Sequence, residues 1–210
     1  MSLFNIRFTG LGGRLTVLSV LVAAVSSASA QRAELPSPRV GDQWQFAVYY
    51  TVPSAEPNRV WAVTAVRPDG IEGTENGEPL LLTPELNVRE SPRERYTNHQ
   101  ALRFPLEVGK QWRYSTDWHF KPKKSSGSHA ISVSVVGHEK VSVPAGEFDA
   151  FKVVAKGNVS GVSPIRSIYA AEITMTYWYA PNARAIVKSI SHNPYIGTTT
   201  VELVRYRLSE

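Results

Sequence analysis

The sequence predicts a mainly β protein: a single antiparallel sheet of about ten strands, strongly curved or closed into a half-barrel or barrel. Three observations predict it. Apolar residues recur at every second position in one segment after another, which is the period of a strand with one buried face. Turn-forming residues stand between those segments. Beyond position 30, no window of about a dozen residues carries apolar side chains at helical spacing.

Residues 1–30 stand apart from this pattern. Arg7 and Arg14 precede any acidic residue, the first of which is Glu34; Leu15–Val25 is apolar; Ala28-Ser29-Ala30 offers small residues at a leader-peptidase spacing. The apolar run is shorter than the roughly 20 residues that span a bilayer. The expectation is a signal peptide, helical in the precursor and cleaved near Ala30, followed by a single β domain over 31–210. The chain has no cysteine, so neither a disulfide framework nor an acylated lipoprotein cysteine is available. With no second apolar segment, the expected location is the periplasm, or outside the cell, with no transmembrane segment in the mature chain. Arg7 and Arg14 account for two of the +5 net charges. The small excess left on the domain excludes the basic patterning of a nucleic-acid binder.

The strands follow in order. Trp44, Phe46, Val48, Tyr50 and Val52 form one face of the first, against Gln43, Gln45, Ala47, Tyr49 and Thr51. Arg67-Pro68-Asp69-Gly70 and Glu75-Asn76-Gly77-Glu78 bracket a short strand, and Asn-Gly suits the positive φ of a type I′ turn. Residues 85–100 are charged, contain Pro92 and read as an irregular loop with a short turn. Trp112, Tyr114, Thr116, Trp118 and Phe120 alternate with polar residues, as do Ile131, Val133 and Val135. Pro144-Ala145-Gly146 is a type I turn with glycine left-handed after it. Ile173, Met175, Tyr177 and Tyr179 form the face of a late strand that Ala180-Pro181-Asn182-Ala183 ends. Val40-Gly41-Asp42-Gln43-Trp44 echoes Val108-Gly109-Lys110-Gln111-Trp112. A duplication would explain the echo, but a shared local solution for entering a long strand explains it better, since nothing else aligns at that offset.

Catalytic patterns are weak. Gly157-Asn158-Val159-Ser160-Gly161 has the wrong spacing for a nucleophile elbow and no helix after it. The histidines at 99, 119, 129, 138 and 192 form no metal-ligand motif. Asp117 and His119 share a strand face, where solvation is the simpler reading. Lys121–Ser128 reads as a basic, flexible hairpin tip with too few charges for stable membrane binding. No metal, cofactor or catalytic residue is expected. The aromatic side chains are the richer signal, because rings can fill a small barrel or line a cavity for an apolar ligand. Tyr49, Trp61 and Trp178 fall on the outer faces of their strands and are the candidate ligand- or partner-binding residues.

Val141-Ser142-Val143-Pro144-Ala145-Gly146-Glu147-Phe148-Asp149-Ala150-Phe151-Lys152-Val153 resembles the V-x-V-P-A-G-x-F-x-A-x-K-V hairpin of exported bacterial β-proteins built on a domain of unknown function. Trp178-Tyr179-Ala180-Pro181 through Lys188 is similar to their W-Y-A-P-x-x-x-x-V-K strand. Phe104-Pro105-Leu106 through Trp112 resembles their F-P-L-x-V-G-x-x-W strand entry. The likeness covers residues 100–208, with Ala183-Arg184 where a glycine-containing turn is usual. It implies an exported curved sheet, loosely similar to the half-barrels of periplasmic lipid carriers, and it carries no catalytic residue over.

The expected function is therefore a non-enzymatic exported binding module for an apolar small molecule, a lipid or an envelope partner. The alternatives are a structural role in the cell envelope, exercised through exposed sheet edges, and a hydrolytic enzyme with a dispersed site near Asp117 and His119.

Overall fold

The computed structural model describes residues 32–51, 58–164 and 169–210. The expected signal segment lies outside the described residues, as does Val52. The described strands are β1 (Arg32–Ala33), β2 (Gln43–Tyr50), β3 (Arg59–Arg67), β4 (Gly70–Glu75), β5 (Glu78–Leu82), β6 (Val88–Glu90) and β7 (Glu94–Tyr96). After them come β8 (Leu106–Glu107), β9 (Gln111–Phe120), β10 (Ser125–Val143), β11 (Gly146–Val162), β12 (Tyr169–Ala180), β13 (Ala185–Asn193) and β14 (Gly197–Arg207).

Twelve of these strands form one closed antiparallel barrel. The ring is a meander from β2 to β14 that omits β8, and β14 pairs back onto β2 to close it. The remaining two, β1 and β8, make a separate two-stranded clip that places Ala33 and Leu106 in the core.

The barrel has more strands than the sequence suggests, and the difference arises largely in residues 85–100. Instead of a loop, this segment supplies β6 and β7, which bridge β5 to β9. Three residues are too few to display an alternating pattern. Side-chain bonds fix them instead: Ser91 Oγ accepts the Arg93 and Glu94 amides at 3.2 and 3.1 Å, and Lys121 Nζ reaches Glu90 Oε1 at 2.8 Å.

The turns follow their chemistry. Asn76 and Gly77 take φ of 54° and 88° between paired Glu75 and Glu78. The segment expected as a flexible basic tip is tighter than that: a single 3-10 turn, Lys121–Lys123, is closed by Lys124 at φ 47°, and β10 begins directly afterwards. Pro181–Ala183 repeats the device, with Arg184 at φ 50° in place of the usual glycine. The Phe104–Pro105 peptide is cis.

The echoed strand entries are one device used twice. Gly41 (φ 92°) donates to the Val63 carbonyl at 2.9 Å, while the Val63 amide returns a bond to Asp42 at 2.9 Å. Gly109 (φ 93°) donates to Val135 at 2.8 Å, and Val135 returns a bond to Lys110 at 2.9 Å. Both valines sit where their strand slips register against the next one. The two tryptophans that follow are buried, and their indole N–H groups donate at 2.8 Å to the Ala183 and Gln100 carbonyls.

Two apolar clusters share β11 and β12. One gathers Trp112, Tyr114, Ile131, Val133, Phe151 and Tyr179; the other gathers Trp44, Phe46, Ile71, Leu80, Phe148 and Leu203. In the long β10–β11 pair the backbones approach closely, and a Cβ at Gly157 would collide with the Ala130 carbonyl oxygen.

Asp42 ties the ring together. Its fully buried carboxylate accepts the Arg39 amide at 2.9 Å, the Ser209 amide at 2.7 Å and Arg184 Nη1 at 3.0 Å. Asp42→Ala would leave Arg184 and two amides without their acceptor. It is expected to cost about 3 kcal/mol, read as a lower urea midpoint at unchanged m-value.

Candidate functional site: an aromatic cavity inside the barrel

The barrel holds a cavity of about 690 Å3 that is partly open to solvent. β2 and β3 contribute Trp44, Phe46 and Trp61; β9 contributes Tyr114, Trp118 and Phe120; β12 contributes Ile173, Met175 and Tyr177. β13 and β14 add a more polar margin that includes Ser189, Ser191, His192 and Thr199. These side chains face inward because the strand period places every second residue on the barrel's inner surface.

One part of the wall combines aromatic and titratable groups. His99 stacks on Tyr96 with centroids 4.7 Å apart and planes 24° apart. His99 also lies 6.1 Å from the Tyr114 ring, and His129 packs 5.8 Å from Trp118. Burial pushes the His99 pKa down to about 4, with the nearby His129 adding to the effect and a hydrogen bond to the Val88 backbone opposing it. Burial alone pushes His129 down to about 4. Both imidazoles are therefore neutral at physiological pH. Burial, reinforced by the field of Glu94, holds the Tyr96 hydroxyl well above its ordinary value, and burial does the same at Tyr177. Tyr96 donates to Glu94 Oε2 at 3.1 Å and Tyr177 donates to Met175 Sδ at 3.1 Å, whereas the buried Tyr114 hydroxyl and His99 Nδ1 have no partner among the described residues.

A second depression of about 530 Å3 abuts this wall from outside, and Asn87, Tyr96 and His99 line both spaces. Asn87 locks the intervening segment through paired 2.9 Å bonds with the Leu102 amide and carbonyl.

The three aromatic residues singled out by sequence lie in three different settings. Trp61 lines the cavity, packs edge-on against Phe46 at 5.6 Å and donates to Glu75 Oε2 at 3.0 Å. Tyr49 is 51% exposed and is not among the cavity-lining residues. Trp178 is buried outside the cavity lining, donating to Glu139 Oε1 at 2.8 Å beneath the Lys152 ammonium. Asp117 and His119 are exposed on β9, and only His119 reaches the cavity margin. Sequence reasoning missed Tyr96 and His99 because they sit in the segment taken for a loop. The inward-facing Tyr114, Trp118, Met175 and Tyr177 were visible as alternating faces, but not as a cavity wall. Among the described residues, no three His, Cys, Asp or Glu side chains come together to hold a metal ion.

Fold and site together define an antiparallel β-barrel with an aromatic internal chamber. In shape it is similar to a protein from Parabacteroides distasonis described as a lipoprotein, with TM-score 0.53 and 15% identity over 83% of this chain and 99% of that one. It is also similar to a Bacteroides fragilis protein described as exported and as having a YmcC-like fold, with TM-score 0.54, 18% identity and the same coverage. The hypothetical lipoprotein YmcC of Escherichia coli aligns over 79% of this chain at 10% identity, with TM-score 0.48. The Parabacteroides and Bacteroides likenesses establish a YmcC-like barrel fold. No family model matches the chain, and no curated protein matches it in sequence.

Two measurements check this description of the wall. Tyr114→Phe removes a buried hydroxyl that has no partner, so it is expected to raise the melting temperature by about 2–4 °C. The histidines impose the opposite sign on acid. Their folded pKa lies below the unfolded value near 6.5, so their neutral forms favour folding above about pH 6.5. That contribution, roughly 1–3 kcal/mol per histidine, is lost as pH falls from about 6.5 towards 4. Urea midpoints in His99→Phe/His129→Phe should decline less over that window than those of the wild type.

Proposed function

We propose that the protein is an exported, non-enzymatic carrier that holds one apolar molecule in its barrel cavity. A single observation carries this reading: a cavity of about 690 Å3 walled largely by aromatic and aliphatic side chains. That volume lies within the range of about 300–1,000 Å3 that small-molecule sites occupy. Export to the periplasm, or beyond the cell, is supported by the leader pattern of residues 1–30 and by the fold it shares with proteins described as exported or as lipoproteins. The lipoprotein route has no counterpart here, since this chain contains no cysteine.

Strand addition by an envelope partner is less well supported. Among the described residues, each of the twelve barrel strands already has a neighbour on both sides. A hydrolytic role for Asp117 and His119 is weakened by their exposure and by the absence of Asp117 from the cavity lining.

The test is uptake of N-phenyl-1-naphthylamine, whose fluorescence rises in apolar surroundings. Saturable 1:1 binding is expected, with a Kd on the order of 1–10 µM. Met175→Trp fills part of the cavity at a folding cost of about 1–3 kcal/mol and should abolish uptake while the barrel stays folded by circular dichroism. Absence of uptake by the wild-type protein would refute the carrier reading.

A further inference from the structure

The outer depression has a chemistry opposite to that of the chamber behind it. Arg89, Arg103 and Arg113 line it together with Asn98, Gln100 and Glu85. Among the described residues none of the three guanidinium groups has a hydrogen bond, an ion pair or a ring partner, whereas Arg32 pairs with Glu107, Arg67 with Glu72, Arg95 with Glu90 and Arg184 with Asp42. The positive field extends to Lys110, whose ammonium donates to the Arg103 carbonyl at 2.6 Å; its pKa is lowered first by burial and then by Arg103. One carboxylate, Glu85, faces the three cations, which leaves an excess of two positive charges in a concave site.

That balance selects among anions. A carboxylate head would neutralise half of the excess and engage one guanidinium fork. A phosphate monoester carries close to two negative charges near neutral pH, with three terminal oxygens, and arginine forks match such oxygens bidentately. The depression and the chamber abut across Asn87, Tyr96 and His99, which face both. Resting on the carrier reading, we infer that the depression is the headgroup site for the chamber's ligand, and that this ligand is an amphiphile ending in a phosphate monoester. Arg89, Arg103 and Arg113 hold the phosphate, and the apolar chain lies against the Tyr96–His99 stack and the aromatic wall.

The test displaces N-phenyl-1-naphthylamine from the purified protein with dodecyl phosphate, dodecanoate or dodecanol, and separately follows the melting temperature in inorganic phosphate. Dodecyl phosphate should displace the probe at about 30-fold lower concentration than dodecanol, with dodecanoate between them. Arg103→Ala and Arg113→Ala should each shrink the phosphate-over-alcohol ratio about 5-fold, and raising salt from about 50 to 500 mM should shrink it in the wild type. Because the ratio is taken within each variant, a general loss of packing leaves it unchanged. If the probe binds but phosphate, carboxylate and alcohol displace it alike, or the arginine variants keep the wild-type ratio, the headgroup site is overturned while the carrier reading stands. If the probe does not bind at all, both fall. If it does not bind, yet inorganic phosphate raises the melting temperature in an arginine-dependent way, the site serves free phosphate and the amphiphile proposal is overturned.

Discussion

Closure of twelve strands is the constraint on which the rest of the molecule depends. About eight strands make a barrel whose own side chains fill the interior, and about sixteen leave a water-filled channel. Twelve fall between these limits. Aromatic side chains can line such a lumen without occluding it, and the buried face of each long strand serves as chamber wall for part of its length. The two apolar clusters supply the packing energy that keeps this partly hollow ring closed. Gly127 in β10 and Gly157 in β11 permit a backbone approach that a Cβ would block.

A hollow interior changes what burial means for a polar side chain. In a solid core, His99, His129, Tyr96 and Tyr177 would each need partners within the packing. Here they stand where desolvation suppresses their charged forms, and among the described residues His99 Nδ1 meets no partner. Such an arrangement costs folding stability, because desolvated polar atoms are left without full compensation. The guanidinium groups outside are governed by a different balance. They remain hydrated, so the cost of leaving them unpaired is small, and their field is screened by salt. The molecule thus sets an aromatic-rich wall inside the ring beside a guanidinium-rich depression.

Much of the barrel was legible in sequence because the strand period is short and the turns carry distinctive residues. Trp112 through Phe120 alternate cleanly, Asn76-Gly77 sits where a type I′ turn needs it, and Gly41 and Gly109 mark the two strand entries. Where periodicity had too little length to act, the reading failed: β6 and β7 are three residues each and took their conformation from Ser91 and Lys121. Lys124 and Arg184 adopt left-handed conformations without being glycine, so nothing in their identity announces the turns they close. The site was harder still. Arg89, Arg103 and Arg113 belong to β6, a loop and β9, and only the closed ring makes them neighbours. Trp178, on a face that reads as outward, is capped by the Lys152 ammonium, 5.3 Å from its ring centre, on the neighbouring strand.

The seam between β14 and β2 has a consequence for the order of assembly. Nearly every other ladder in the ring joins strands adjacent in sequence, and the β10–β11 hairpin needs only the Pro144-Ala145 turn to register its full length. The pairing of Thr199 with Tyr50 spans most of the domain, so its loop-closure entropy weighs most on the final step of folding. With that seam unpaired, the sheet would be an open trough with a free edge on each side and its aromatic floor facing the solvent. Sealing the seam is the event that turns a surface into a compartment.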